Sequence, residues 1–192
     1  MYTLYLDTHS NRIVIVVYKN KQIIIKKEIE SNYDHSVTTM PILIESLKEA
    51  NIEVKDLNQI IVVNGPGSFT GVRIGVTIAK TLAYTLNIPI KVLSSLLIKA
   101  VSFEHEKITI IEREKNGVFT GDFNTKNELL SEYKYLSNKE YEMEDKTNFY
   151  EDIQIDYEKI IDFVTNLEET NPHAVNPLYV KKIEVQRWLD IF

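Results

Sequence analysis

Cysteine is missing from the 192-residue chain. Its absence excludes a disulfide framework, zinc–thiolate sites and thiol nucleophiles, and it fits a reducing compartment. Positive charge is in short supply too: 22 Lys and Arg stand against 28 Asp and Glu, a formal net charge of -6. Nucleic-acid affinity is dominated by phosphate contacts and needs a basic surface, so nucleic acid is not the expected primary ligand. No apolar run approaches the roughly 20 residues of a membrane span. The N-terminus carries Asp7 and lacks the basic-then-apolar pattern of a signal peptide. A cytoplasmic protein without membrane contact is the expectation. The four histidines (His9, His35, His105 and His173) are scattered without an i, i+4 pair, so no metal site is expected. What is plentiful is hydrophobic residues, at 44%, enough for a real core.

Residues 2–7, 13–18 and 22–28 read as three strands with short turns, an antiparallel meander. The apolar positions Val37, Met40, Leu43, Ile44, Leu47 and Ala50 then take helical spacing, with Asp34 as the expected N-cap. Gln59 to Val63 is a continuous run suited to a buried central strand. A glycine-rich loop, a helix from Thr70 to Leu86, a strand over 88–93 and a short helix capped by Ser94 or Ser95 follow. The order β-β-β-α-β-α-β-α is that of an actin-like or sugar-kinase-like α/β domain with a ribonuclease-H-like core. We place this first domain at residues 1–103 and a smaller, divergent one at 104–192. In the second, strands flank the Asn116-Gly117 turn and residues 137–152 read as a polar surface loop. Tyr157, Ile160, Ile161, Val164 and Leu167 give a second-domain helix, and 185–192 a short terminal one.

Glycine is scarce, yet four of the six lie in the segment Gly65-Pro-Gly-Ser-Phe-Thr-Gly-Val-Arg-Ile-Gly75. Between a buried strand and a helix, such a loop exposes amides at the positive helix end and suits an anion. Gly65, Gly67, Ser68 and Thr70 are the candidates. It is neither a Walker A loop nor a dinucleotide fingerprint. The other reading is a tight turn in which Ser68 or Thr70 caps the helix. Along that helix Gly71, Gly75, Ala79 and Ala83 recur every fourth residue beside a large stripe, Ile74, Ile78, Leu82 and Leu86. The large stripe is expected to face the core. The small one is a flat strip where a second helix could approach closely, either the chain's own helix from His35 or a partner's.

The glycine segment, continued through Ala79-Lys80 to Leu86, resembles the signature of the TsaB (YeaZ) family. Leu6-Asp7-Thr8 resembles that family's first strand and turn, and His35-Ser36 with Met40-Pro41 and Leu43 its first helix. Val92-Leu93-Ser94-Ser95-Leu96 resembles its next strand and cap, and Pro177-Leu178-Tyr179-Val180-Lys181 its C-terminal Pro-Leu-Tyr-Leu-Arg. The likeness is strong over residues 1 to 100 and thin beyond, where Glu112-Arg113-Glu114 stands in place of the family's Asp-Ala-Arg. It implies a degenerate actin-like ATPase fold without catalytic residues or cofactor of its own. The implied role is a non-catalytic subunit that pairs through N-terminal helices with the catalytic subunit TsaD. With the ATPase TsaE, such a complex transfers a threonylcarbamoyl group to an adenosine beside the anticodon of tRNA. A homodimer is implied as well. The partner-facing residues would be His35, Met40 and the strip Gly71, Gly75, Ala79, Ala83.

The competing reading is a nucleotide-binding enzyme using the Gly65–Gly71 loop. Asp7 supplies the acid expected at the end of the first strand. The turn Thr8-His9-Ser10 has no glycine to let backbone approach a terminal phosphate. Lys181, Lys182 and Arg187 form the best local basic candidate for tRNA.

Overall fold

β-Branched side chains dominate Ile13 to Ile25, and they fit a pleated surface better than a helix. In the computed structural model, which describes residues 1–31 and 34–181, this stretch joins an antiparallel meander of β1 (Tyr2–Asp7), β2 (Arg12–Lys19) and β3 (Gln22–Glu30). Helix α1 (His35–Glu49) leads to β4 (Leu57–Val63), which lies parallel to β1. Helix α2 (Phe69–Leu86) leads to β5 (Ile90–Leu93), parallel to β4. The sheet order is β3-β2-β1-β4-β5, and α3 (Ser95–Val101) completes the expected order of elements. β5 starts two residues later than the sequence suggests. Asn87 closes α2 in the left-handed conformation (φ 52°), which delays the return to extended backbone.

One sheet face carries Leu4, Leu6, Ile13, Ile15 and Val17 and is covered by Leu43 and Leu47 of α1 and Val72 and Val76 of α2. The other carries Tyr5, Val16 and Tyr18. It is covered by α5 (Tyr157–Thr165) through Tyr157, Ile160, Ile161 and Val164. From sequence this helix belonged to the second domain, but its apolar stripe serves the first sheet. The Tyr18 hydroxyl donates to the Tyr157 carbonyl at 2.9 Å. The buried Lys91 ammonium donates to the carbonyls of Val164 (2.9 Å) and Leu167 (2.6 Å) at the helix's negative end.

A second sheet has the order β8-β7-β6-β9. It contains β6 (Ile108–Glu114), β7 (Gly117–Phe123), β8 (Lys134–Ser137) and β9 (Phe149–Tyr150). Leu96 and Ala100 of α3 pack on its Ile108, Ile110, Phe119 and Phe123. The stretch read as a loop over 137–152 therefore holds β9 and the short α4 (Asn138–Met143). Ser137 and Glu140 form a reciprocal capping box at the start of α4. Asp34 stands at the N-cap of α1, but its carboxylate accepts from the Ser31 hydroxyl (2.6 Å) instead of the helix amides. The expected terminal helix over 185–192, together with Lys182 and Arg187, lies outside the described residues. None of the described helices is long and apolar enough to cross a membrane.

Candidate functional site

Open sheets with parallel strands present their ligand crevice beyond the strands' carboxyl ends. Here that edge gathers Asp7 with the Thr8-His9 turn after β1, the glycine loop after β4 and Ser94-Ser95 after β5. The loops interlock. The Ser95 amide donates to the Gly65 carbonyl (2.8 Å) and its hydroxyl to Pro66 O (2.6 Å). The Ser68 amide donates to His9 O (2.6 Å), and the buried Thr8 hydroxyl to the Gly71 carbonyl (2.7 Å). Gly65 has a φ of 96°, a conformation that a side chain would strain.

The small stripe of α2 is explained by this interlock. A Cβ on Gly67 would strike the His9 carbonyl, one on Gly71 the Thr8 carbonyl, and one on Gly75 the Thr8 hydroxyl. Ala79 and Ala83 are fully buried in the main core. The partner-facing reading of the strip Gly71, Gly75, Ala79 and Ala83 is thus corrected: all four face inward, Gly71 and Gly75 against the turn after β1 and Ala79 and Ala83 in the main core. The large stripe shifts outward, with Ile74, Ile78, Leu82 and Leu86 only half-buried.

The anion candidates do sit together, with Ser68 and Thr70 exposed. Yet the Ser68 amide is spent on His9, and its hydroxyl accepts from Gly71 N at 3.2 Å as the helix cap.

At the crevice itself lies a chain of charges, buried at Asp7 and His9 and partly buried at Lys99 and Glu112. Asp7 Oδ1 accepts from the His9 amide (2.9 Å) and lies 2.6 Å from its Nδ1. The Tyr5 hydroxyl reaches the other Asp7 oxygen at 3.3 Å. His9 Nε2 is 3.7 Å from Glu112 Oε2 on β6, and Lys99 Nζ on α3 is 2.6 Å from the same oxygen. That oxygen has no directed hydrogen bond; its charge is met by the cations. Burial opposes an imidazolium, but Asp7 and Glu112 outweigh it and raise His9 to about 10. Burial likewise opposes ionised Glu112, but His9 and Lys99 outweigh it and lower Glu112 to about 2. The arrangement is a closed chain of paired ions.

The sequence marks Asp7 as the acid at the end of the first strand and Glu112 only as a departure from the family's Asp-Ala-Arg; it gives no site role to His9, Lys99 or Glu112. Lys99 lies inside an apolar run, Ile98-Lys99-Ala100, and Glu112 ends one, Ile110-Ile111-Glu112, and that was the available signal. The remaining histidines lie apart. His35 is buried with its Nδ1 3.1 Å from the Ser31 hydroxyl. His105 pairs with Asn127, and His173 packs on Tyr84.

A second candidate region lies on the outside of the helices. Val37 (69% exposed), Met40 (39%) and Ile44 (47%) run along α1 at i, i+3 and i+7. Ile44 also lines an open groove of about 630 Å³ with Leu47, Ile52, Val54 and Leu86. The row on α1 and the half-buried row on α2 therefore join at this groove.

The meander joined to parallel strands, with helices on both faces, defines an α/β protein of the actin-like and sugar-kinase-like class. The TsaD family model, described as tRNA N6-adenosine threonylcarbamoyltransferase, matches residues 24–111. The tRNA threonylcarbamoyladenosine biosynthesis protein TsaB of Bacillus subtilis (strain 168) is 37% identical over 135 residues, 69% of this chain and 59% of that protein. The protein of the same name from Buchnera aphidicola subsp. Schizaphis graminum is 34% identical over 132 residues, 66% of this chain and 62% of its own. The solved structure of YeaZ from Pseudomonas aeruginosa has the same fold, with a TM-score of 0.75 at 17% identity over 93% of this chain and 99% of that one. These matches support the resemblance to the TsaB (YeaZ) family read from the sequence. The match spans about three fifths of the length of these two curated relatives.

Proposed function

We propose that this chain acts in threonylcarbamoyladenosine biosynthesis on tRNA as a non-catalytic subunit that pairs with a TsaD-type catalytic subunit. The relatives' names supply the pathway. The observation that carries the subunit reading is the exposed apolar row Val37, Met40, Ile44, continuous with a groove floored by Leu47, Ile52 and Leu86. Exposed apolar surface of this kind is characteristic of association sites. The partner surface is thus the outer face of α1 and α2, with Met40 as its member from the original set. His35 and the strip Gly71, Gly75, Ala79, Ala83 support it from beneath. A homodimer would use the same face when the partner is absent. A TsaE-type ATPase and tRNA join through the larger complex, and a cytoplasmic location goes with this role.

Residues 1–103 form the partner-binding unit in this reading, with α5 as a later element that completes it. The enzyme reading is weakened because the glycine loop's Ser68 amide and the crevice carboxylates already have partners within the chain.

Mixing the full chain with a TsaD-type protein tests the proposal by sizing chromatography. A stable complex that is lost in Ile44→Asp is expected. Steady ATP turnover by the pure chain that disappears in Asp7→Ala would replace this reading with the enzyme one.

A further inference from the structure

The ion chain at the crevice crosses three elements far apart in sequence: the turn after β1, helix α3 and strand β6 of the second sheet. Its members are Asp7, His9, Lys99 and Glu112, with the Tyr5 hydroxyl behind Asp7. Lys99 also donates to the carbonyls of Ile111 (3.0 Å) and Glu151 (3.1 Å), so its ammonium holds both β6 and the segment that follows β9. The His9 backbone is gripped from the other side by the Ser68 amide, and Gly67 is kept bare by the same carbonyl. The imidazole thus stands at the carboxyl-terminal edge of the parallel strands, between two carboxylates from different sheets.

We infer that Asp7, His9, Glu112 and Lys99 form a latch that fixes the second sheet on the first and fills the ligand crevice with the chain's own cation. This goes beyond the partner role proposed above and does not depend on it. A carboxylate pair held largely out of solvent would ordinarily recruit a cation or repel an anion. The His9 imidazolium does the neutralising here, and it is tethered to β1. The second sheet then cannot swing away without leaving Glu112 and Lys99 to find other partners. Nor can a phosphate or a metal enter without displacing the ring. The latch is intramolecular, so in the single chain the His9 ring stands where a nucleotide would have to enter.

The test uses the full-length chain and residue-resolved amide hydrogen exchange. Glu112→Gln keeps the shape of the side chain and removes its charge. If the latch exists, this change on β6 accelerates exchange of the His9 and Ser68 amides by roughly tenfold, the size of one lost pKa unit of coupling. The amides of Leu43 and Val16, in the cores on either face of the first sheet, stay within about twofold because local opening does not reach them. A uniform acceleration at all four amides, or none at His9 and Ser68, overturns the latch. Lys99→Met is the second variant in case Glu112→Gln does not fold, with the same reporters and the same reading. Titration of the wild-type chain with Mg-ATP closes the test. Unchanged nitrogen shifts of His9 are expected, whereas shifts that move with nucleotide would show the crevice open and refute the occlusion. Failure of the partner proposal would appear only in the sizing experiment, so the two are separable.

Discussion

The crevice and the outer face of α1 and α2 break the usual rule for protein surfaces in opposite directions. At the crevice two buried charged groups, Asp7 and His9, meet two partly buried ones, Lys99 and Glu112, where burial alone would oppose every charge. On the outer face Val37, Met40 and Ile44 stand in solvent, where an apolar row gains nothing in the free chain. In the first region each charge faces an opposite one within the chain. The second is left incomplete by the chain and can be completed by another molecule. Where a fold of this class ordinarily places its ligand, this protein sets its own ion pairs; on the outer helix face it leaves an apolar row exposed.

The largest effect should come from opening the closed region. His9→Gln keeps hydrogen-bonding capacity but removes the cation between Asp7 and Glu112. Breaking a buried ion pair from one side costs roughly 3–5 kcal/mol, so thermal unfolding of the variant should begin far below that of the wild type. The pH dependence has a definite sign. His9 is raised from 6.5 to about 10 on folding, so its contribution is complete below pH 6.5 and is lost as pH rises towards 10. Glu112 is lowered from 4.5 to about 2, so its contribution is complete above pH 4.5 and is lost as pH falls towards 2. The gap in melting temperature between wild type and variant should be widest between pH 4.5 and 6.5 and narrow above it. A gap that is flat with pH would show that the ions contribute no more than packing.

Next in size is a change beneath the outer face. Ala79 is fully buried, and Ala79→Leu should overpack the α2 core at a cost of ~1–3 kcal/mol. Melting should fall, while the folded fraction retains its affinity for a TsaD-type partner. If partner binding weakens and melting does not, the small stripe itself meets the partner and the burial has been misread.

The same stripe shows how legible the molecule was. Elements from β1 to α3 follow from apolar runs and helical periodicity, because each is specified by neighbouring residues. What makes Gly71 and Gly75 necessary is Thr8, whose hydroxyl meets the Gly71 carbonyl across 63 positions of sequence. Small side chains announce a close approach but not by what, so the sequence leaves open whether the stripe meets the chain's own elements or a partner. Helix α5 misled for a related reason: its stripe is plain in sequence, but which sheet lacks a cover is known only once both exist. The ion chain was hidden because His9, Lys99 and Glu112 belong to three separate elements, and singly each reads as a solvated charge.

A smaller change tests the open region by itself. Ile44→Asp places a charge in the exposed row, where folding stability should move by no more than ~0.5 kcal/mol. Partner affinity should fall on the order of tenfold or more, the loss of a central apolar contact. Unaltered binding would move the partner surface elsewhere.

The smallest effect expected lies between the two regions. The segment 176–181 runs from the start of α2 to the rim of the crevice. The Leu178 amide donates to Asn64 O (2.8 Å), Tyr179 accepts from Arg73 Nε (2.6 Å), and Lys181 reaches Glu114 (3.2 Å). Arg73 is also stacked on Phe69, 3.7 Å from its ring centroid, so the tyrosine hydroxyl is one contact among several. Tyr179→Phe removes that hydroxyl and leaves the ring beside Phe69. A half-exposed hydrogen bond to a charged group contributes at most ~1 kcal/mol after solvent screening. Exchange of the Leu178 amide should quicken by no more than about fivefold, while the His9 and Ser68 amides keep their rates. If those two quicken as well, the tail is part of the latch. The closed crevice and the open face would then be linked through Arg73, and a partner bound on α2 could be felt at His9.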